Sequence, residues 1–232
     1  MGRSLCAAAA TRTDIEVAAL VGPNRPDWGG ENAAAESWWP LLDSLPAIPD
    51  LLIDFTLPEG TAAAAAWCAA NGVPLVSGVT GLSPAVQGGL RRAAAAVPVL
   101  WSPNLSIGVN LLAELVGRVA EVVGRQTPVA IDDLHHQWKK DAPSGTALML
   151  GAAIARRRGG DDRGIAYRST RAGEAIGEHR VQFTLDGETI ELAHRADDRG
   201  IFARGALEAG LWLVRQPAGF YSAADWLAAH GG

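Results

Sequence analysis

Cysteine is scarce. Only Cys6 and Cys68 occur in 232 residues, too few for a disulfide framework, and this points to a reducing compartment. Positive charge is not in excess either: 20 Lys and Arg face 25 Asp and Glu, a net charge of −5. That removes the electrostatic case for nucleic acid, and no arginine-rich stripe restores it. Long apolar runs are also missing. No segment reaches the roughly 18 uninterrupted apolar residues of a membrane span, and the alanine runs at 7–10, 62–66 and 93–96 are short and helix-favouring. Arg3 is not followed by an apolar segment with a cleavage site, so no secretory signal is read and the cytoplasm is expected. What is present, 48% hydrophobic residues with a mean hydropathy of +0.09, suits a soluble globular chain of one large or two modest domains.

The densest chemistry lies in Asp133-Leu-His-His-Gln-Trp-Lys-Lys-Asp-Ala-Pro-Ser-Gly-Thr-Ala147. Val129-Ala-Ile-Asp-Asp before it reads as a strand, and Ala147-Leu-Met-Leu-Gly-Ala-Ala-Ile-Ala after it as an apolar-faced helix. The polar cluster is therefore a strand-to-helix connection, where a rigid scaffold presents side chains. Pro143 disfavours helix at Ala142. Ser144 is a good N-cap, and Gly145 and Thr146 then place backbone N–H groups in the first helical turn. Such a terminus is an anion site, suited to a carboxylate or phosphate, with Lys139 adding positive charge. His135 and His136 exchange protons near neutral pH. Adjacent histidines also suit a metal, but both cysteines are distant and no third ligand is suggested, so no metal is expected. Structure alone could equally account for two histidines and a capped helix.

The remaining chain alternates. A helix begins almost at Met1, and Ile15-Glu-Val-Ala-Ala-Leu-Val21 reads as a short strand. Pro23 to Pro49 reads as loop with at most a short helical segment, its Trp28, Trp38 and Trp39 serving packing. Asp50 to Thr56 is a continuous apolar run, the mark of a buried parallel strand. A helix opens at Pro58 and closes at Asn71-Gly72. Val73 to Ser77 is strand, Leu82 to Ala96 helix, and Val97 to Trp101 strand again. Strand–helix alternation with short connections predicts a parallel sheet with right-handed crossovers. Ligands bind beyond the carboxyl ends of such strands, where Gly78-Val-Thr-Gly81 and Ser102-Pro-Asn-Leu105 stand. Val21-Gly22 occupy the place of a ribose-binding acidic residue. Arg25 beyond them could meet a 2′-phosphate or be a solvated loop residue. Ile107 to Gly124 reads as a long helix. The arginines at 156–158 sit at a helix end closed by Gly159-Gly160, where cations suit the dipole. Beyond Asp161 the period becomes two: Ile165–Ser169, Arg180–Leu185 and Thr189–Arg195 read as strands, the last two joined by a turn at Asp186-Gly-Glu. Helices are expected over Gly205–Val214 and Ala223–His230.

The string His-His-x-x-Lys-x-Asp-Ala-Pro-Ser-Gly-Thr-Ala from His135 resembles the signature of the 4-hydroxy-tetrahydrodipicolinate reductase (dihydrodipicolinate reductase) family. Ile53-Asp-Phe-Thr, Pro58-Glu-Gly-Thr, Gly78-Val-Thr-Gly, Asn104-Leu-Ser-Ile-Gly-Val-Asn110, Arg171 to His179 and His194-Arg-Ala are similar to family segments in the same order. Two positions depart: Val79 stands where Thr is usual and Leu105 where Phe is usual, changes that loop backbone can absorb. At the start, Met1-Gly2-Arg3 match only the tail of the family's Gly-rich turn. The preceding strand has no counterpart in this sequence, and its absence from the centre of the sheet is expected to leave two strand edges unpaired.

The resemblance implies an α/β fold: a Rossmann-like doubly wound parallel sheet (residues 1–106 and 207–232) for a dinucleotide, and a second α+β domain with a mostly antiparallel sheet (107–206) for substrate and oligomerisation. It implies NADPH or NADH as cofactor, met by Met1, Gly78, Val79, Thr80, Ser102, Pro103, Asn104 and Leu105. It implies His135 and Lys139 as catalytic proton donors, with His136, Gly145 and Thr146 binding a dicarboxylate substrate, in the route to lysine through diaminopimelate. A homotetramer is implied, with neither nucleic acid nor membrane as partner. Two rival readings remain: a related two-domain dehydrogenase of another small dianion, and a truncated, non-catalytic oligomer that binds a dicarboxylate but no cofactor.

Overall fold

The computed structural model describes residues 1–25, 37–160 and 162–229. Residues 26–36 of the loop read between Pro23 and Pro49, Trp28 among them, and His230 of the last expected helix lie outside them. The chain forms two compact units, Met1–Leu105 with Gly200–Gly232, and Ser106–Arg199.

In the first unit, α1 (Gly2–Ala9) opens the chain and is followed by β1 (Leu20–Val21). The strand expected from Ile15 is thus limited to its last two residues. The loop expectation also needs correction at Trp38-Trp39, which forms β2 and pairs in parallel with β1, Leu20 opposite Trp38. Next come β3 (Leu52–Asp54), α2 (Pro58–Asn71), β4 (Leu75–Ser77), α3 (Pro84–Ala93) and β5 (Pro98–Trp101). The helix limits follow from local chemistry. Pro58 and Pro84 sit in first turns where a missing N–H costs nothing. Ser83 caps α3 by accepting the Val86 N–H, and Gly72 closes α2 with φ 72°, a left-handed conformation that favours glycine.

The second unit holds α4 (Ile107–Val123), β6 (Val129–His135), α5 (Gly145–Arg157), β7 (Ile165–Arg171), β8 (Gly177–Thr184) and β9 (Thr189–Ala196). The chain then re-enters the first unit with α6 (Gly200–Leu213), β10 (Gly219–Tyr221) and α7 (Ala223–Ala228). Strand β10 carries no period-two signal long enough to be read from three residues.

The first unit's main sheet runs β10-β5-β4-β3, all parallel. Alternation along the strands feeds two cores. Leu75 and Val99 join Ala65, Cys68 and Leu90 of α2 and α3 on one face. Val76 and Leu100 join Ala206, Ala209, Leu213 and Trp226 of α6 and α7, with Leu5 of α1, on the other. Helices on both faces make this a doubly wound α/β unit. The β1–β2 ladder is a separate sheet. In the doubly wound order one strand stands between these two sheets, and among the described residues none does. Strand β3 forms one edge of the main sheet. Leu52 and Ile53 of β3 are half-buried, where Leu75 and Val76 of β4 are fully covered.

The second unit's sheet runs β7-β6-β8-β9. Only β6–β7 is parallel; the other two pairings are antiparallel, as the period-two reading predicts. Helices α4 and α5 cover one face through Leu112, Val116, Leu150 and Ile154 against Ile131, Val181 and Phe183. The opposite face is polar: Arg168 pairs with Asp132 at 2.6 Å and Arg180 with Glu191 at 3.2 Å.

Candidate active site

The polar stretch leaves the end of β6 and enters α5, as its sequence implies. Ser144 caps α5, its Oγ accepting the Ala147 N–H at 3.1 Å while its carbonyl accepts the Leu148 N–H at 3.0 Å. Gly145, exposed, and Thr146, half-buried, make the first turn. The positive end of the helix dipole lies there, so an anion is favoured. Lys139 is half-buried and its Nζ donates to the exposed Asp141 at 2.7 Å. His136 stands beside Trp138, ring centroids 5.8 Å apart, and its Nε2 lies 3.4 Å from Nη2 of Arg199. Each of His135, His136, Lys139, Gly145 and Thr146 therefore sits on the β6–α5 connection.

Beneath that surface lies a buried hub that the sequence reading left out. Asp133 is 1% exposed. Its Oδ2 accepts the Ser144 backbone N–H at 2.8 Å, the Ser169 hydroxyl at 3.2 Å and Arg171 Nη2 at 2.9 Å. Its Oδ1 lies 2.7 Å from His135 Nδ1 and 3.5 Å from His179 Nε2. Ser144 Oγ is 3.1 Å from His179 Nε2. Arg171 also donates to the carbonyls of Asp133 and Asp141, tying the loop back to β7. Register builds this hub. Ser169, Asp133, His179 and His194 are cross-strand partners in one row over β7, β6, β8 and β9. A single sequence displays period two but not which strands pair, so no local signal marks the row.

Electrostatics follow burial. Burial alone would raise the Asp133 carboxyl, but the Ser144 N–H, Arg171 and the Ser144 hydroxyl outweigh it and hold the pKa at about 2. His135 lies below its ordinary value because burial disfavours the cation; Asp133 opposes the shift and Lys139 and Arg171 reinforce it. His179 is driven to about 4 by burial and then by His135. His194 is lowered by burial. All three are thus neutral imidazoles at neutral pH. Among the described residues the adjacent pair His135-His136 does not form a ligand set, but Asp133, His135 and His179 bring ligand atoms within 4.8 Å of one another. Arg171 and Ser144 already engage that carboxylate, which makes it a hydrogen-bonded hub first.

The other expected residues are in the first unit. Gly78 follows β4, its N–H bonded to the Asp54 carbonyl at 2.9 Å; a Cβ there would lie 2.3 Å from the Phe55 ring. Thr80 and Pro103 are exposed. Val79 is buried and its carbonyl accepts Trp101 Nε1 at 2.9 Å. Ser102 is buried and donates to the Asn104 carbonyl at 2.6 Å. The Leu105 side chain lies in the core with Trp226. Met1 is the N-cap of α1, without a side-chain cap. The places suit a dinucleotide: Gly78–Gly81 and Ser102–Leu105 lie beyond the carboxyl ends of β4 and β5, and a helix terminus such as that of α1 suits a phosphate.

Comparison with known proteins accounts for both units. Residues 1–105 match the family model for the dihydrodipicolinate reductase N-terminus, and residues 108–227 that for its C-terminus. A protein of Anaeromyxobacter sp. (strain Fw109-5) named 4-hydroxy-tetrahydrodipicolinate reductase is 41% identical over 228 residues, covering 88% of this chain and 85% of its own. One of the same name from Stenotrophomonas maltophilia (strain R551-3) is 49% identical over 185 residues, covering 79% and 75%. Among solved structures, a dipicolinate-bound dihydrodipicolinate reductase from Paenisporosarcina sp. TG-14 superposes with a TM-score of 0.79 at 22% identity, over 95% of this chain and 92% of that one; at that identity the likeness speaks for the fold.

Proposed function

The chain belongs to the dihydrodipicolinate reductase family, and from that premise we propose how its residues reduce 4-hydroxy-tetrahydrodipicolinate to tetrahydrodipicolinate with a nicotinamide nucleotide. The enzyme is an oxidoreductase of amino-acid biosynthesis. The observation that carries the assignment of roles is the β6–α5 connection, which sets an anion-favouring helix terminus and three titratable side chains on one short segment.

The nucleotide supplies the hydride when bound. It is assigned to the first unit, at Met1, Gly78, Val79, Thr80, Ser102, Pro103, Asn104 and Leu105. Val79 and Leu105 offer backbone, since their side chains are committed to the core. Both NADPH and NADH fit that set. Arg25, exposed beyond β1, is the residue that would favour a 2′-phosphate.

The substrate is a cyclic imine carrying two carboxylates. The N–H groups of Gly145 and Thr146 hold one carboxylate against the α5 terminus, and His136 adds a hydrogen bond. One hydride and one proton enter the ring and water leaves. Lys139 and His135 supply and shuttle the proton. His135 is neutral before substrate arrives, because burial disfavours its cation. A dianion beside it favours the imidazolium, so proton uptake at His135 is linked to substrate binding. Such donors contribute on the order of 10²–10⁴ in rate. We further assign the second unit to oligomerisation, as a homotetramer, through the polar open face of its sheet. We assign the cytoplasm on the two free, buried cysteines.

The test is titration of this chain with NADPH and with NADH, followed by nicotinamide fluorescence, then by turnover of the hydroxy-tetrahydro acid at saturating nucleotide. Micromolar binding with turnover supports the reading. Binding of the dicarboxylate without either nucleotide would select the non-catalytic alternative.

A further inference from the structure

The roles just assigned leave Asp133 unused, although more polar groups converge on it than on any residue of the loop. We propose that Asp133 is the positioning residue of this reaction: one oxygen fixes the tautomer of His135, and the other fixes the anion-binding turn at Ser144. The inference rests on the reductase reading for its kinetic arm only.

The two oxygens do different work. Oδ1 lies 2.7 Å from His135 Nδ1, off the ideal N–H axis, with His179 Nε2 farther away at 3.5 Å. His135 Nδ1 is therefore the nearest titratable nitrogen to that oxygen. A carboxylate there places the proton on Nδ1 of the neutral ring and leaves Nε2 as the proton acceptor. Nε2 points toward Gly177, where a Cβ would come within 2.9 Å. Oδ2 accepts the Ser144 N–H at 2.8 Å, and Ser144 caps α5. Arg171 and Ser169 hold the same oxygen from β7. The carboxylate therefore ties the proton-bearing ring and the carboxylate-binding terminus to one rigid point, and its own orientation is fixed from the neighbouring strand β7. Misplacement of either by about 1 Å costs on the order of 10² in rate.

Two substitutions separate the oxygens. In Asp133→Asn the amide oxygen can keep accepting from Ser144 and Arg171, while the NH₂ turns toward His135 Nδ1. The ring must then present a lone pair at Nδ1 and carry its proton on Nε2. In Asp133→Ala both functions are lost. Long-range ¹H–¹⁵N spectra of the imidazoles, with His135→Gln to assign the His135 signals, read the tautomer with no turnover required. The expected result is Nδ1–H in the wild type and Nε2–H in Asp133→Asn, with kcat lowered about 10²-fold or more and KM nearly unchanged. Asp133→Ala should lower kcat and raise KM together. A wild-type ring protonated at Nε2 overturns the proposal, even if Asp133→Asn does not fold. So does an Asp133→Asn enzyme with the wild-type tautomer and kcat. A wild type that holds Nδ1–H but reduces nothing would sink the reductase reading and leave the positioning geometry standing.

Discussion

The buried imidazole of His179 makes stability depend on pH in a window that can be calculated. It is 4% exposed and its pKa is pushed down to about 4, by burial first and then by His135, with Asp133 opposing. In the unfolded chain it titrates near 6.5. Below about pH 6.5 the unfolded state binds a proton that the folded state refuses, so stability falls as pH drops. The contribution is complete above about pH 6.5 and is lost by about pH 4. A difference of about 2.5 units at roughly 1.4 kcal/mol each gives about 3 kcal/mol, a large part of a typical domain's stability. His135 and His194 are lowered too and add the same sign. Asp133, held at about 2, acts in a separate window: it stabilises above the usual carboxylate range, and that contribution is lost as pH falls toward 2. Urea unfolding followed by far-UV circular dichroism from about pH 7.5 to about pH 4.5 should show most of the loss in the wild type. His179→Gln should start less stable but lose clearly less over the same range. Parallel curves for the two proteins would refute the reasoning, as would a wild-type stability that stays flat below about pH 6.5.

Other perturbations test other links. Gly177→Ala places a Cβ 2.9 Å from His135 Nε2; kcat should fall on the order of 10²-fold while the thermal midpoint moves little, and unchanged kcat would mean that Nε2 is not the working nitrogen. Lys139→Ala should lower kcat by about 10²–10⁴ with stability intact, because its ion-pair partner Asp141 is exposed and such pairs contribute little; near-full turnover would remove Lys139 from the mechanism. Trp226→Ala empties a fully buried site between α7, α6 and the sheet, and should cost about 3–5 kcal/mol in urea unfolding; a loss below about 1 kcal/mol would show that α7 does not dock there.

How far the sequence could be read was set by the range of the forces involved. Ser144 at the N-cap, Pro58 in a first turn and Gly72 at a helix end act within one turn, so their consequences were visible without tertiary knowledge. The apolar runs at β3, β4 and β5 are equally local, and they imply a covered parallel sheet because no other arrangement buries both faces. What escaped depends on pairing. Trp38-Trp39 and Gly219–Tyr221 are strands because β1 and β5 stand beside them; two or three residues carry no period of their own. The site divides along the same line. His135, Lys139 and the α5 terminus lie within one contiguous loop and were found as a string. Ser169, Arg171 and His179 reach Asp133 through the register of β7 and β8, a fact of the sheet and not of any one segment. Proton donors can therefore be recognised by residue type and spacing, whereas the carboxylate that orients them is recognised only once the strands are side by side. That is why a buried acid two residues before a catalytic histidine, on the same face of its strand, is the first place to look for the group that sets its tautomer.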